Sequence, residues 1–262
     1  HRLNLVIFQK MANNVGGFAI PEVGDSSSAL PKAVLPTSTV ELSIRCTDLA
    51  DQDWTSKSDP LCVVSLKGTN GQWYELGRTE MLQDTLQPSW QKKIVVDYSF
   101  EERQILKFEV YDWDSKSQNP CDHDFLGRIE SSLGAIVSAP GKQFVSVLRD
   151  APQSSKGKVF VSAEELVANK ETVRIHFAAE KLDKKDFMGK SDPFFVLSKS
   201  MPNGQWSVVY RSEVVKNNLN PSWNNMVKPT RDICNGDYER PLKMEVYDWD
   251  SDGTHDLIGT FT

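Results

Sequence analysis

The sequence predicts an all-β protein made of two tandem antiparallel β-sandwiches. Three observations predict it: a long internal repeat, strand-period alternation inside the repeated segments, and turn-forming residues between them. The repeat is colinear. Ser58–Val64 (SDPLCVV) returns as Ser191–Leu197 (SDPFFVL), Asn70–Trp73 (NGQW) as Asn203–Trp206, and Leu86–Trp90 (LQPSW) as Leu219–Trp223 (LNPSW), all at an offset of 133. Leu106–Ser115 (LKFEVYDWDS) then returns as Leu242–Ser251 (LKMEVYDWDS), and His123–Gly127 (HDFLG) as His255–Gly259 (HDLIG), at offsets shifted slightly by loop insertions. Matching of five segments in order implies two homologous domains.

The segments themselves read as strands. Val40–Cys46 and Val173–Phe177 alternate apolar and polar residues, as do Leu106–Tyr111 and Leu242–Tyr247, which is the period of a strand with one wet face. Gln143–Leu148 and Lys158–Ala163 are strand-like as well. Pro, Gly, Asn and Asp separate these runs, and long amphipathic helices are scarce, so sandwiches are expected rather than α/β layers. Residues 1–37 are rich in Gly, Ser, Pro and Ala without a period and are expected to be a flexible lead-in. Within them Met11 is a plausible native start. The first domain is assigned to 38–167 and the second to 168–262. Gly259 corresponds to Gly127, so Thr262 corresponds to Glu130, whereas the first domain runs on to about Leu166. The second sandwich is therefore expected to be truncated at its C-terminus, as in a fragment of a longer protein.

Bulk composition narrows the function. Net charge is −6, with 30 Lys and Arg against 36 Asp and Glu, which argues against a nucleic-acid binder. An acidic protein that meets an anionic surface needs its local charge reversed, and a bound cation can do this. No apolar run approaches a membrane span, and Leu3–Phe8 is too short for a signal-peptide core. Cys46, Cys62, Cys121 and Cys234 form no paired motif, which fits free thiols in a reducing compartment and a cytoplasmic protein.

The aspartates carry the chemistry. Asp53 and Asp59 follow strand Val40–Cys46, and Asp112, Asp114 and Asp124 follow strand Leu106–Tyr111; Asp186, Asp192, Asp248, Asp250 and Asp256 repeat the set. An Asp-x-Asp pair leaving a strand puts both carboxylates on one side. Two loops meeting at one end of a sandwich would then gather five carboxylates per domain. Bare charges at about 4 Å repel by about 4 kcal/mol at an effective dielectric near 20, so the cluster calls for a cation. Any single loop Asp commonly just supports a turn; duplication of all five positions favours ligation. An all-oxygen set with flexible geometry suits Ca²⁺ over Mg²⁺, and zinc would want His or Cys. His123 and His255 have no such partners and are expected to face solvent. Asp122 is a possible substitute for Asp124, which keeps the HD-x-x-G context, and Asp252 is expected to be a solvated loop tip.

The pattern Asp-x₅-Asp-Pro, NPxW, YDxD and HDxxG resembles the Ca²⁺-binding C2 domain of synaptotagmins, protein kinase C and copines, over residues 40–262. The tandem arrangement, with NGQW in both halves, is most similar to the copine family. That resemblance implies eight-stranded sandwiches, Ca²⁺ held by the five aspartates of each repeat with backbone carbonyls of Gln52, Trp113, Lys185 and Trp249 as further ligands, and a von Willebrand A domain beyond Thr262. It implies reversible, Ca²⁺-dependent docking on anionic, phosphatidylserine-like membranes in trafficking or signalling, with movement from cytoplasm to plasma membrane or other membranes as Ca²⁺ rises. Trp54, Phe187 and Met188, beside the first aspartate of each set, are the expected membrane-inserting residues. Burial of one such side chain is worth about 1.5–3 kcal/mol. Trp113 and Trp249 are expected to pack inward, and Trp73, Trp90, Trp206 and Trp223 to be core or strand-edge aromatics. Lys57, Lys184, Lys185 and Lys190 could steer toward anionic lipid. No phosphate loop, nucleophile elbow or kinase motif is found in the sequence, so no catalysis is expected. The competing readings are a Ca²⁺-independent scaffold for protein targets, and the membrane-targeting region of a lipid-signalling enzyme.

Overall fold

The computed structural model describes residues 37–53, 56–152, 156–169, 171–185 and 189–262. The expected lead-in lies almost wholly outside them.

In the first module, eight strands form two four-stranded sheets: β1 (Thr37–Thr47), β2 (Pro60–Lys67), β3 (Trp73–Arg78), β4 (Ile94–Ser99), β5 (Ile105–Asp112), β6 (Asp124–Ser132), β7 (Phe144–Val147) and β8 (Lys158–Glu165). One sheet has the order β4-β1-β8-β7 and the other β3-β2-β5-β6. All pairings are antiparallel. Alternation sets the faces. Leu42 and Ile44 of β1, Phe108 and Val110 of β5 and Val159 and Val161 of β8 all point into one core around Trp90, each buried chain contributing about 1.5–3 kcal/mol. A single helical turn, α1 (Leu133–Val137), is capped by the Ser132 hydroxyl, which accepts from the Ala135 amide at 3.1 Å.

The second module repeats this plan with β9 (Thr172–Ile175), β10 (Pro193–Ser200), β11 (Trp206–Arg211), β12 (Met226–Pro229), β13 (Leu242–Asp248) and β14 (Asp256–Phe261), and a short helix α2 (Thr230–Cys234). Its sheets are β11-β10-β13-β14 and β12-β9. The described second module thus has six strands where the first has eight. Phe195, Trp223, Met226, Met244 and Val246 form its core.

Two features of the fold position the loops between strands. The indole Nε1 of Trp90 donates to Pro60 O at 3.2 Å, and that of Trp223 to Pro193 O at 3.2 Å. Each core tryptophan therefore pins the strand that opens directly after Asp59 or Asp192. At the other side of that aspartate a fully buried serine closes the first loop. Ser58 donates to Ala50 O and accepts from the Gln52 amide, and Ser191 donates to Asp183 O and accepts from the Lys185 amide.

Trp90 and Trp223 are core residues, while Trp73 and Trp206 are half-buried at strand edges under Lys67, Lys107 and Lys243. Cys46, Cys62 and Cys234 are buried free thiols and Cys121 is an exposed one.

Candidate metal centres

Both modules hold one aspartate at the end of the long central strand in the same way. In the first, Asp112 closes β5, paired with Pro60 on one side and Asp124 on the other. It is fully buried; its Oδ1 accepts from the Asp59 amide at 2.6 Å, and its buried Oδ2 has no hydrogen-bond partner among the described residues. In the second, Asp248 closes β13 between Pro193 and Asp256. Its Oδ1 accepts from the Asp192 amide at 2.6 Å, and its Oδ2 is likewise buried without a partner among the described residues. A buried carboxylate oxygen without a partner loses its hydration uncompensated. That the same orphan recurs in both modules marks a built feature.

Among the described residues, a cluster of three carboxylates forms round the orphan of the first module, and none forms round that of the second. In the first module Asp53, Asp112 and Asp114 bring ligand oxygens within 4.8 Å of one another. Asp59 is held in place from the second loop, its Oδ1 accepting the Asp84 amide at 2.8 Å. Asp84 adopts the left-handed region at φ 52°, which Asp and Asn tolerate better than other side chains. Asn217 at φ 57° does the same for Asp192, its amide bonding Oδ1 at 2.6 Å. Asp124 and Asp256 sit exposed at the rim. Asp122 accepts from Ser117 at 2.5 Å and so ties its own turn.

Electrostatics separates the two modules. Burial pushes the Asp114 carboxyl up to about 6, with the charges of Asp112, Asp53 and Asp124 adding to it. Burial likewise raises Asp112, and it raises Asp59 against the lowering effect of the Asp84 amide. In the second module burial acts on Asp192 too, but Lys216 at 2.9 Å and the Asn217 amide outweigh it and hold the carboxyl below its ordinary value. Lys216 also lies 3.9 Å above the Trp249 ring. The first cluster is thus uncompensated, and part of the second is neutralised by a lysine. Position 83, the equivalent of 216 in the first repeat, is Gln, so comparison of the repeats could have flagged Lys216.

The donor set is carboxylate oxygen, which fits a hard cation such as Ca²⁺. The histidines do not join it, and they correct the expectation of solvent-facing rings. His123 is buried, stacked on Trp113 with ring centroids 3.6 Å apart, with Nε2 at 3.0 Å from Ser117 O. His255 is half-buried, and its Nδ1 accepts the Asp250 amide at 3.1 Å. Both rings brace the third loop. Trp113 and Trp249 are half-buried, and their amides donate to Asp59 O and Asp192 O. Lys57, read as a lipid-steering charge, has its Nζ donating to Asp252 O in the other module at 3.2 Å. Asp252 is exposed, as expected of a loop tip. Asp186, Trp54, Phe187 and Met188 lie outside the described residues.

A family model described as the C2 domain matches residues 39–146 and again 171–262. Among solved structures, the tandem pair of C2 domains, A and B, of extended synaptotagmin 2 is 18% identical, covering 93% of this chain and 84% of that one at a TM-score of 0.40. A calcium-bound structure of the same domain pair is 17% identical over 86% of this chain and 82% of that one, at 0.38. The second C2 domain of BON1 is 25% identical, covering 54% of this chain and all of that one, at 0.37.

Proposed function

The chain belongs to the C2 domain family, and from that premise we propose that it is a Ca²⁺-dependent phospholipid-binding protein that docks reversibly on anionic membranes. The observation that carries the reading is the orphaned oxygen of Asp112 and of Asp248, buried at the same place in each module, with Asp53 and Asp114 gathered beside it in the first. In this reading Asp53, Asp59, Asp112, Asp114 and Asp124 hold Ca²⁺ in the first module, and Asp186, Asp192, Asp248, Asp250 and Asp256 hold it in the second. Bound Ca²⁺ cancels the loop charge and offers coordination to lipid phosphate and carboxylate oxygens. The protein supplies the frame: the Ser58 and Ser191 bonds fix the first loop, Asp84 and Asn217 aim the central aspartates, and the Trp90 and Trp223 indoles tie both to the core. Trp54, Phe187 and Met188 then insert and slow release. Duplicated NGQW motifs in a tandem pair support a copine-like assignment, with cytoplasmic protein moving to membranes as Ca²⁺ rises. The role is one of binding rather than catalysis.

Sedimentation with phosphatidylserine vesicles tests this. The chain should pellet in Ca²⁺ and return to solution on chelation, and Asp112→Asn/Asp248→Asn should not pellet. Trp54→Ala/Phe187→Ala should dissociate faster with its lipid-free Ca²⁺ affinity intact. Equal binding in chelator, or to neutral vesicles, would refute the reading.

A further inference from the structure

On the outer face of the first module, Glu41 of β1 and Glu164 of β8 stand directly opposite each other in an antiparallel pair. Like charges in that position destabilise a sheet, so an isolated first module would carry a flaw there. The second module removes it. Lys199, fully buried, places its Nζ 3.0 Å from Glu41 and 3.1 Å from Glu164, and Arg240 pairs with Glu164 at 2.5 Å. Along the same seam Ser207 donates to Ser43 at 3.0 Å, and the Arg211 guanidinium donates to Ser89 O at 2.7 Å. The wet face read from the alternation of β1 is therefore a polar contact surface between modules.

The seam reaches the ligand loops. Gly253, in the third loop of the second module, has φ +72°, and a Cβ there would lie 2.3 Å from Asp84 O. Asp84 in turn bonds Asp59. One residue from each module thus separates Asp59 from the turn that carries Asp250. Lys57 of the first loop adds its bond to Asp252 O. The loop ends of the two modules therefore meet along this seam.

We propose that the seam makes the tandem a single rigid docking body whose two loop clusters engage one anionic leaflet together, rather than bridging two membranes. This rests on the membrane-docking reading above. Loop ends held side by side by the seam meet a flat surface without further ordering, so the second contact forms at high effective concentration; such linkage raises affinity by about 10²–10⁴-fold.

The test uses the full chain with mixed phosphatidylserine and phosphatidylcholine vesicles in Ca²⁺. The native chain should bind without clustering vesicles, read by light scattering. Asp248→Asn/Asp250→Asn should lose about 100-fold or more in vesicle affinity. Glu41→Lys/Glu164→Lys, which sets like charges against Lys199 and Arg240 without touching either core, should lose at least about tenfold for the same reason, with lipid-free Ca²⁺ affinity unchanged by calorimetry. Gly253→Val, which forces the same seam from its loop end, should weaken vesicle binding likewise. Clustering of vesicles by the native chain overturns the inference, as does native-like vesicle affinity in the seam variants. Absence of any Ca²⁺-dependent binding by the native chain overturns this inference together with the docking reading.

Discussion

Replacing Asp112 by Asn should stabilise the first module without Ca²⁺ and destabilise it, relative to the native chain, with Ca²⁺. Asn keeps an oxygen for the Asp59 amide and gives the orphaned position an N–H₂ that faces carboxylates instead of repelling them. Asp112 shares a 4.8 Å cluster with Asp53 and Asp114. At that separation each charge pair costs about 3 kcal/mol at an effective dielectric of 20. Asp114 is exposed and Asp53 only half-buried, so solvent screening brings each pair to about 1 kcal/mol or less. Loss of two pairs should raise the melting temperature in chelator by about 3–8 °C, since about 1 kcal/mol moves a domain of this size by several degrees. In Ca²⁺ at 100 times its dissociation constant the native module gains about 2.7 kcal/mol per site, and the variant forfeits this. The two melting curves should therefore exchange order on addition of Ca²⁺. The pH dependence has a definite sign. Asp114 is raised in the fold to about 6, so its penalty is fully present above pH 6 and is relieved as pH falls toward the unfolded value. The advantage of Asp112→Asn in chelator should shrink over that window. Scanning calorimetry with and without Ca²⁺, at pH 7.5 and pH 4.5, measures all of this. A variant that melts below the native chain in chelator at pH 7.5 would refute the reasoning, because the buried carboxylate would then be a stabilising group.

Two further outcomes follow from the same electrostatics. Lys216→Met should tighten Ca²⁺ binding at the second site up to about fivefold, on the order of the 1 kcal/mol that a largely exposed ion pair can oppose, and isothermal calorimetry on the full chain reads it directly. Lys93, half-buried in the seam with its amine bonded to Trp90 O and Ser207, is pulled down to about 7 chiefly by desolvation. The folded chain then binds fewer protons than the unfolded chain between pH 7 and the ordinary lysine range, so stability should rise with pH across that window. Lys93→Met should abolish the slope in urea titrations run from pH 7 to pH 9.5.

The fold was legible because its signals are local and doubled. Strand alternation at Val40–Cys46 and Leu106–Tyr111 became β1 and β5, and the same alternation at Val173–Phe177 and Leu242–Tyr247 became β9 and β13. The gathering of Asp53, Asp112 and Asp114 was legible for the same reason, since Asp-x₅-Asp and Asp-x-Asp recur with their flanking motifs. What escaped depends on contacts distant in sequence. His123 was read as exposed because nothing local shows that Trp113 will stack on it. Lys57 was read as a lipid-steering charge, and its partner Asp252 lies in the other module. Alternation in β1 correctly separates Glu41 and Arg45 from the core residues, but a polar face is the same string whether water or a second module covers it. The function of Ser58 and Ser191 was written in the repeated SDP motif and was not read, because a small polar residue before Asp-Pro looks like ordinary turn chemistry.

The indole pins at Pro60 and Pro193 bear on how such modules diverge. Trp90 and Trp223 fill the cores as well as tether the ligand loops, so descendants that abandon cation binding would still retain them. The buried aspartates behave oppositely. Asp112 and Asp248 each bury an unmatched oxygen and burden the sandwich whenever no cation is needed, so relaxed selection would let them drift first. Under the proposed function, a Pro-Ser-Trp motif retained in a relative would mark ancestry, while an intact aspartate at the end of the central strand would mark retained cation binding.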